Sequence, residues 1–348
     1  MEYIGNKRSL IDFVSENISR AIGPGKRDVC DIFSGTGAVS DALKLMGHSV
    51  TANDHLDLCF HMTSARLLNS GAPQFSLIPG SITRLAKTPY EGVLTYLNEL
   101  PPREGGFIHR NYSPYSKYKD GVERRYFSEI NAIQIDTVRL ELERLRPSLS
   151  EAEYSLLITD LLNAISSVSN VAGTYGCYLK NWKSRARMPL ILRPSEFTGG
   201  SDGGHRVLSM DAHEAAKIIN CSVVYADPPY TKRQYAAYYH VLETIVKNDS
   251  PKVSGKTGLR DWLPKSSEFC YKRRAPGALR ALLSALSCEH FFMSYSSDGQ
   301  ISHADVLTIL GAFGRVKVFE RELKRYKSSS RPHKGPVVME RLYHVMMR

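Results

Sequence analysis

The chain has no apolar run approaching the length of a membrane span, and no basic amphipathic helix dominates its pattern. A membrane partner is disfavoured. Its six cysteines, Cys30, Cys59, Cys177, Cys221, Cys270 and Cys288, are scattered, with no CxxC pair and no grouping with histidine at zinc-ligand spacing. That argues against a disulfide framework and against a metal, and for reduced thiols in a cytoplasmic chain. The N-terminus has no apolar signal core, so no cleavable leader is expected. Internal repeats and long low-complexity tracts are missing as well. Acidic side chains are in the minority, 35 against 46 Lys and Arg, for a formal net charge of +11. Such an excess favours a polyanionic partner, because Lys and Arg release the counterions condensed on nucleic acid. At 348 residues the chain can bury a large catalytic core and carry a smaller insert.

The most informative segment is Val224-Tyr225-Ala226-Asp227-Pro228-Pro229-Tyr230. An apolar run ends in a carboxylate, a rigid turn and an aromatic face. The exocyclic amine of a flat heterocycle can donate to the Asp227 carboxylate and to the Pro228 carbonyl. The two prolines fix φ and give that carbonyl a set direction. Tyr230 can stack on the ring. The plainer alternative is a strand that ends in a proline turn.

A second segment, Asp31-Ile32-Phe33-Ser34-Gly35-Thr36-Gly37, follows a short buried strand at 28–33 and leads into a helical pattern at 38–46. Small residues there let a ligand approach the backbone at the carboxyl end of a parallel strand. The next strand, 48–53, ends at Asp54, which suits a bond to a ribose diol; a helix N-cap is the alternative role. Gly255-Lys256-Thr257 looks like the end of a phosphate loop, but the glycine that motif requires falls at Ser250 and no strand precedes it. An NTPase is rejected. His240 and Glu243, near Asp227 on a helical pattern, read as packing or hydrogen-bonding residues.

Residues 9–22 show one helical apolar face, and strand-like runs fall at 28–33, 48–53, 222–226, 290–295, 315–320 and 341–347. Helical patterns lie between most of them, which predicts an α/β fold with a mainly parallel sheet. The last two runs are joined by a loop, which suits an antiparallel hairpin at one edge. Residues 85–206 break the alternation and read as an inserted, largely helical subdomain, with Ser128 capping a helix over 129–146 and Ser150 and Glu153 forming a capping box before 154–168. A second, basic insert is expected at 247–280. The catalytic domain is then 1–84, 207–246 and 281–348.

Together these motifs resemble the Dam-like D12 (alpha) class of DNA adenine-N6 methyltransferases. The resemblance rests on Tyr3-Ile4-Gly5-Asn6-Lys7, Asp31–Gly37, Asp54, Asn170–Gly176, Asp227–Tyr230, Arg233-Gln234-Tyr235, His240–Thr244 and Ser294-Tyr295-Ser296, in that order over nearly the whole chain. It looks closest to restriction-modification members. It implies a Rossmann-like methyltransferase sheet, S-adenosylmethionine as donor, double-stranded DNA as partner with a flipped-out adenine, and no metal. By resemblance, Asp227, Pro228, Pro229 and Tyr230 would form the catalytic site. Tyr3, Lys7, Asp31, Phe33, Ser34, Gly35, Thr36, Gly37, Asp54, Asp211 and Asp227 would border the donor, with Lys7 near its carboxylate. Asp211 can equally be the N-cap of a helix at 212–219.

Two basic stretches are DNA-contact candidates: Tyr175, Lys180, Trp182, Lys183, Arg185 and Arg187, which interleave aromatics with cations, and Lys256, Arg260, Lys272, Arg273 and Arg274. Members of the family often act as monomers, and a cognate restriction endonuclease is a possible but unneeded partner. The rival readings are cytosine-N4 methylation, disfavoured by an aspartate at 227, and an inactive DNA-binding protein with the same fold.

Overall fold

Short apolar runs such as 223–226 fold as buried strands, and the helices Ala212–Ile218, Ala275–Ala285 and His303–Gly311 turn apolar side chains to the sheet. The computed structural model describes residues 7–200, 203–324 and 337–348. Its strands are β1 (Asp28–Asp31), β2 (Ser49–Asp54), β3 (Arg206–Ser209), β4 (Val223–Ala226), β5 (Val253–Ser254), β6 (Leu259–Arg260), β7 (His290–Ser296), β8 (Gly314–Lys324) and β9 (Val337–Met347). Seven of them form one sheet in the order β3-β2-β1-β4-β7-β9-β8. The joins from β3 to β7 are parallel, and β9 runs antiparallel to both β7 and β8. This is the mainly parallel, Rossmann-like sheet with a C-terminal antiparallel pair. Sequence patterning missed β3. That strand has four residues at a sheet edge, carries Arg206 and Ser209, and is nowhere fully buried, so it has no apolar run to betray it.

Strand order reverses between β1 and β4, whose neighbours lie on opposite sides. In open α/β sheets a ligand crevice opens outside the carboxyl ends of the strands at such a point. Here those ends lead into Ile32–Gly37 and Asp227–Tyr230. The two faces of the sheet differ. Cys30, Val224, Ala226, Phe291, Met293, Tyr343 and Val345 form one apolar cluster with residues of the helices Ala212–Ile218, Ala275–Ala285 and His303–Gly311. Register puts Asp31, Tyr225, Phe292, Ser294, Leu342 and His344 on the other face. That face is unusually polar for a sheet interior.

The described residues divide into two compact units: residues 7–55, 203–234, 266–324 and 337–348, which contain the large sheet, and residues 56–200 and 235–265, which are mainly helical. Residue 56 lies inside the segment expected to be catalytic, and the stretch 247–280 is shared between the units. The physical reason is where apolar faces go. Helices Asp57–Leu67 and His240–Lys247 contribute Leu58, Met62, Val241, Leu242 and Ile245 to the same core as helices Glu129–Leu145 and Glu151–Val168. The expected caps are present: the Ser128 side chain accepts from the Asn131 N–H, and Ser150 and Glu153 form a reciprocal capping box. In this unit the β5–β6 hairpin is held by three side chains from one segment. Tyr112 donates to the Gly258 carbonyl at 2.9 Å, Tyr126 to Thr257 at 3.1 Å and Arg124 to Gly255 at 3.0 Å.

Glu243 has a structural task, in line with its sequence reading. Its buried carboxylate accepts from the N–H groups of Asp57 at 3.0 Å and Leu58 at 3.1 Å, so it caps a helix from a distant segment. Lys265 balances it at 2.8 Å. Removing one member of a buried, hydrogen-bonded pair costs about 3 kcal/mol or more. Glu243→Ala is therefore expected to lower the free energy of unfolding by about 3 kcal/mol in urea titration, where a surface charge would change it by a few tenths.

Candidate active site

The loop after β1 is tied to β2 and β4. The Ile32 N–H donates to the Tyr225 carbonyl at 3.0 Å, and the Ser34 N–H to that of Asn53 at 2.8 Å. The Asn53 amide donates to the carbonyls of Ile32 at 3.1 Å and Met210 at 3.2 Å. Gly35 and Gly37 have φ of 53° and 76°, a left-handed backbone that other residues resist. Gly37 is also the N-cap of the helix Ala38–Leu45. The Asp54 carboxylate accepts from the Gly35 N–H at 2.9 Å. Asp54 is not a helix cap, since Leu56 is the N-cap of the helix that follows. It braces the glycine turn from the end of β2.

Asp31 is buried at the end of β1. One carboxyl oxygen accepts from the Ser40 hydroxyl at 2.6 Å, and the other has no hydrogen-bond partner among the described residues. Burial, with Asp227 and Asp54 adding negative charge, raises its pKa to about 7 against the pull of Ser40. Phe33 meets Phe269 edge-on at 5.4 Å. Asp211 does cap the helix Ala212–Ile218, accepting from the His213 N–H at 2.8 Å. The hydrogen bonds from His213 hold its carboxyl down near a pKa of about 2.

β4 delivers Asp227 to the same edge of the sheet. Its carboxylate oxygen lies 3.2 Å from the Lys7 ammonium, which is also 3.2 Å from Glu340 on β9. Lys7 is almost fully buried, with its ammonium 5.5 Å from the centre of the Tyr230 ring. Burial alone would lower the Lys7 pKa; Asp227 and Glu340 overcome it and keep the ammonium charged. Burial lifts Asp227 to about 6, with Lys7 pulling down and Glu340 pushing up. The Tyr230 carbonyl accepts from the Gln300 N–H at 3.0 Å, which fixes the turn. A carboxylate, a proline-fixed carbonyl and an aromatic ring thus stand beside a glycine cradle at the switch point. Such a site can hold a planar amine and, separately, a ligand lying over backbone.

Residues 3–306 match the model of the D12 class of N6 adenine-specific DNA methyltransferases. The chain belongs to that family. Among its relatives is the Type II methyltransferase M.NlaIII of Neisseria lactamica, 35% identical over 350 residues, with 99% of this chain and 98% of that protein aligned. The Type II methyltransferase M.FokI of Planomicrobium okeanokoites is 33% identical over 94% of this chain and 50% of its own length. The modification methylase LlaI of Lactococcus lactis is 33% identical over 96% of this chain and 53% of its own. The chain therefore spans about half of the latter two proteins.

For a member of the D12 class, the expected site residues behave unequally. Tyr3 lies outside the described residues. Lys7, expected near a donor carboxylate, bridges two carboxylates of the protein. Tyr175 was expected at DNA and is corrected to packing: it is 3% exposed and its ring stacks against Tyr126. Lys180, Lys183 and Arg187 are exposed and Trp182 half-buried, while Lys183 and Arg185 also donate to the Val171 carbonyl and so brace their own loop. Arg260 is paired with Asp249 at 2.6 Å. Lys256, Lys272, Arg273 and Arg274 are exposed, with Arg274 over the Tyr271 ring. Sequence reasoning missed Glu340, Ser40 and Asn53. Only Glu340 left a trace, a charge between Val338 and Leu342 on its side of the strand.

The raised Asp31 pKa carries a stability consequence. The folded state keeps a proton that the unfolded chain releases near pH 4, so stability falls as pH rises from about 4 through about 7. Asp31→Asn removes that group. Thermal melts of the ligand-free protein between pH 5 and 8 should show the variant gaining on the parent as pH rises; a constant difference would contradict the burial argument.

Proposed function

We propose that the chain is a sequence-specific methyltransferase that moves a methyl group from S-adenosylmethionine to N6 of a flipped-out adenine in duplex DNA, as the modification member of a restriction-modification system. The observation that carries the reading is the Asp227–Tyr230 turn, anchored by Lys7 beside a glycine cradle at the switch point of the sheet. The residues present suit the donor. Gly35 and Gly37 leave room over the backbone, Asp54 sits at the end of β2 where a ribose diol would lie, and the unpaired Asp31 oxygen can accept from an ammonium. Bound there, the donor supplies an electrophilic methyl on sulfur.

The protein's own contribution is orientation and charge. The lone pair of an adenine amine is delocalised into the ring, so the nitrogen must become tetrahedral before it can attack. Asp227 accepts one amine hydrogen and the Pro228 carbonyl the other, and Tyr230 stacks on the ring. Positive charge grows on the nitrogen as the carbon–nitrogen bond forms and the carbon–sulfur bond breaks. Asp227 stabilises it and takes the released proton; its pKa of about 6 makes it ionised at neutral pH and a better base than an ordinary carboxylate. A base inside the stack cannot reach such a site, which is why flipping is required. In this reading residues 85–206 hold most of the base readout and 247–280 mainly grip backbone. The protein acts as a monomer in the cytoplasm.

Asp227→Ala is the test of the chemistry. It should abolish transfer of labelled methyl to DNA in protein that still melts cooperatively, if at lower temperature because Lys7 loses one partner, and nucleoside digestion of the parent's product should give N6-methyladenine. A variant rate close to the parent's would refute the assignment of Asp227, and N4-methylcytosine would refute the substrate. Asp54→Ala should weaken donor binding in calorimetry while DNA affinity holds; unchanged donor affinity would leave Asp54 a structural role alone, as in its bond to Gly35. Neutralising the exposed Lys272, Arg273 and Arg274 should lower affinity for specific and nonspecific DNA alike and flatten the salt dependence. A changed base preference with nonspecific affinity intact would overturn the backbone role of that segment.

A further inference from the structure

Glu340 is buried in β9, opposite Ser296 of β7 and Arg321 of β8. It shares the polar face of the sheet with Ser294 and Tyr225, and those two bond each other at 2.9 Å. Its neighbour Arg341 pairs with Glu320 at 2.6 Å. One Glu340 oxygen meets Lys7 at 3.2 Å, and the other has no hydrogen-bond partner among the described residues. A buried, half-satisfied carboxylate is costly, and among the described residues no ion pair to Arg321 across the strands offsets that cost. Its one side-chain ion pair among the described residues is with the cation that also holds Asp227.

We infer that Glu340 is a positioning residue for methyl transfer: by sharing the Lys7 ammonium it keeps Asp227 a competent acceptor for the amine proton. This rests on the reading that Asp227 receives that proton. Lys7 paired with Asp227 alone would hold the carboxylate as a stable, weakly basic anion. Glu340 draws the ammonium partly away and adds negative charge of its own, and both effects favour protonation of Asp227. The other titratable groups facing this cluster are Asp31 on β1, Tyr225 on β4 and Tyr230 in the turn, with Asp298 facing Tyr230. None of them contacts Lys7 by an ion pair among the described residues. Glu340 undergoes no covalent change.

The experiment uses the full chain with carbon-13 at aspartate carboxyls, the Asp227 signal being assigned by its loss in Asp227→Asn. In Glu340→Gln the Asp227 midpoint should fall by about one pH unit. In single-turnover transfer the acid limb should move down with it and the plateau rate drop roughly tenfold. Glu340→Asp, which keeps the charge, should stay close to the parent on the pH axis. Lys7→Gln gives an independent arm, in which Asp227 should titrate at higher pH because its cation is gone. An unmoved midpoint in Glu340→Gln, or in Lys7→Gln if the first variant does not fold, would overturn the inference. So would a lower melting temperature with the pH profile intact, or an effect confined to the donor KM. If the parent forms no N6-methyladenine, the functional reading fails instead, and the titration of ligand-free protein still decides whether Glu340 tunes Asp227.

Discussion

A lysine ammonium held between two carboxylates, away from solvent, sets the character of this site. Burying either carboxylate alone would push it toward its neutral form; burying the lysine alone would strip its proton. Together they stay charged, and the contact brings the start of the described chain to the ends of β4 and β9. The Asp227 carboxylate is thereby fixed in direction and kept in a range where it can be ionised at neutral pH and still accept a proton. A surface aspartate would meet only the first of those requirements.

The sheet makes that contact possible. Reversal of strand order between β1 and β4 opens the crevice, and the pairing of β9 with β7 brings a residue eight places from the end of the chain into it. The glycine turn after β1 is held by backbone bonds to β2 and β4 and by Asn53, so its left-handed residues are fixed in place before any ligand arrives. Preorganisation of this kind lets binding act on the ligand rather than on the loop.

Much of this was legible in the sequence because it depends on local signals. Apolar runs marked six of the seven sheet strands, and serine caps marked the long helices of the helical unit. Asp-Pro-Pro-Tyr and Ser-Gly-Thr-Gly marked the two loops at the switch point. What was not legible depends on tertiary pairing. Glu340 lies far from Lys7 in the chain and shares no motif with it. β3 is too short and too polar to register. Tyr175 looked like a nucleic-acid contact by composition, but it is buried and its ring stacks against Tyr126. Charge interleaved with aromatics does not distinguish a solvated patch from a loop that is braced by its own cations.

Membership of the D12 class and a formal net charge of +11 both point to DNA, and in the proposed reading the Asp227 site takes an exocyclic amine. The most direct test of that account is single-molecule sequencing of DNA from cells that express the chain. The account predicts N6-methyladenine at one fixed sequence context, missing from cells that carry the Asp227→Ala variant. Unmodified DNA, modification scattered without context, or N4-methylcytosine would contradict it.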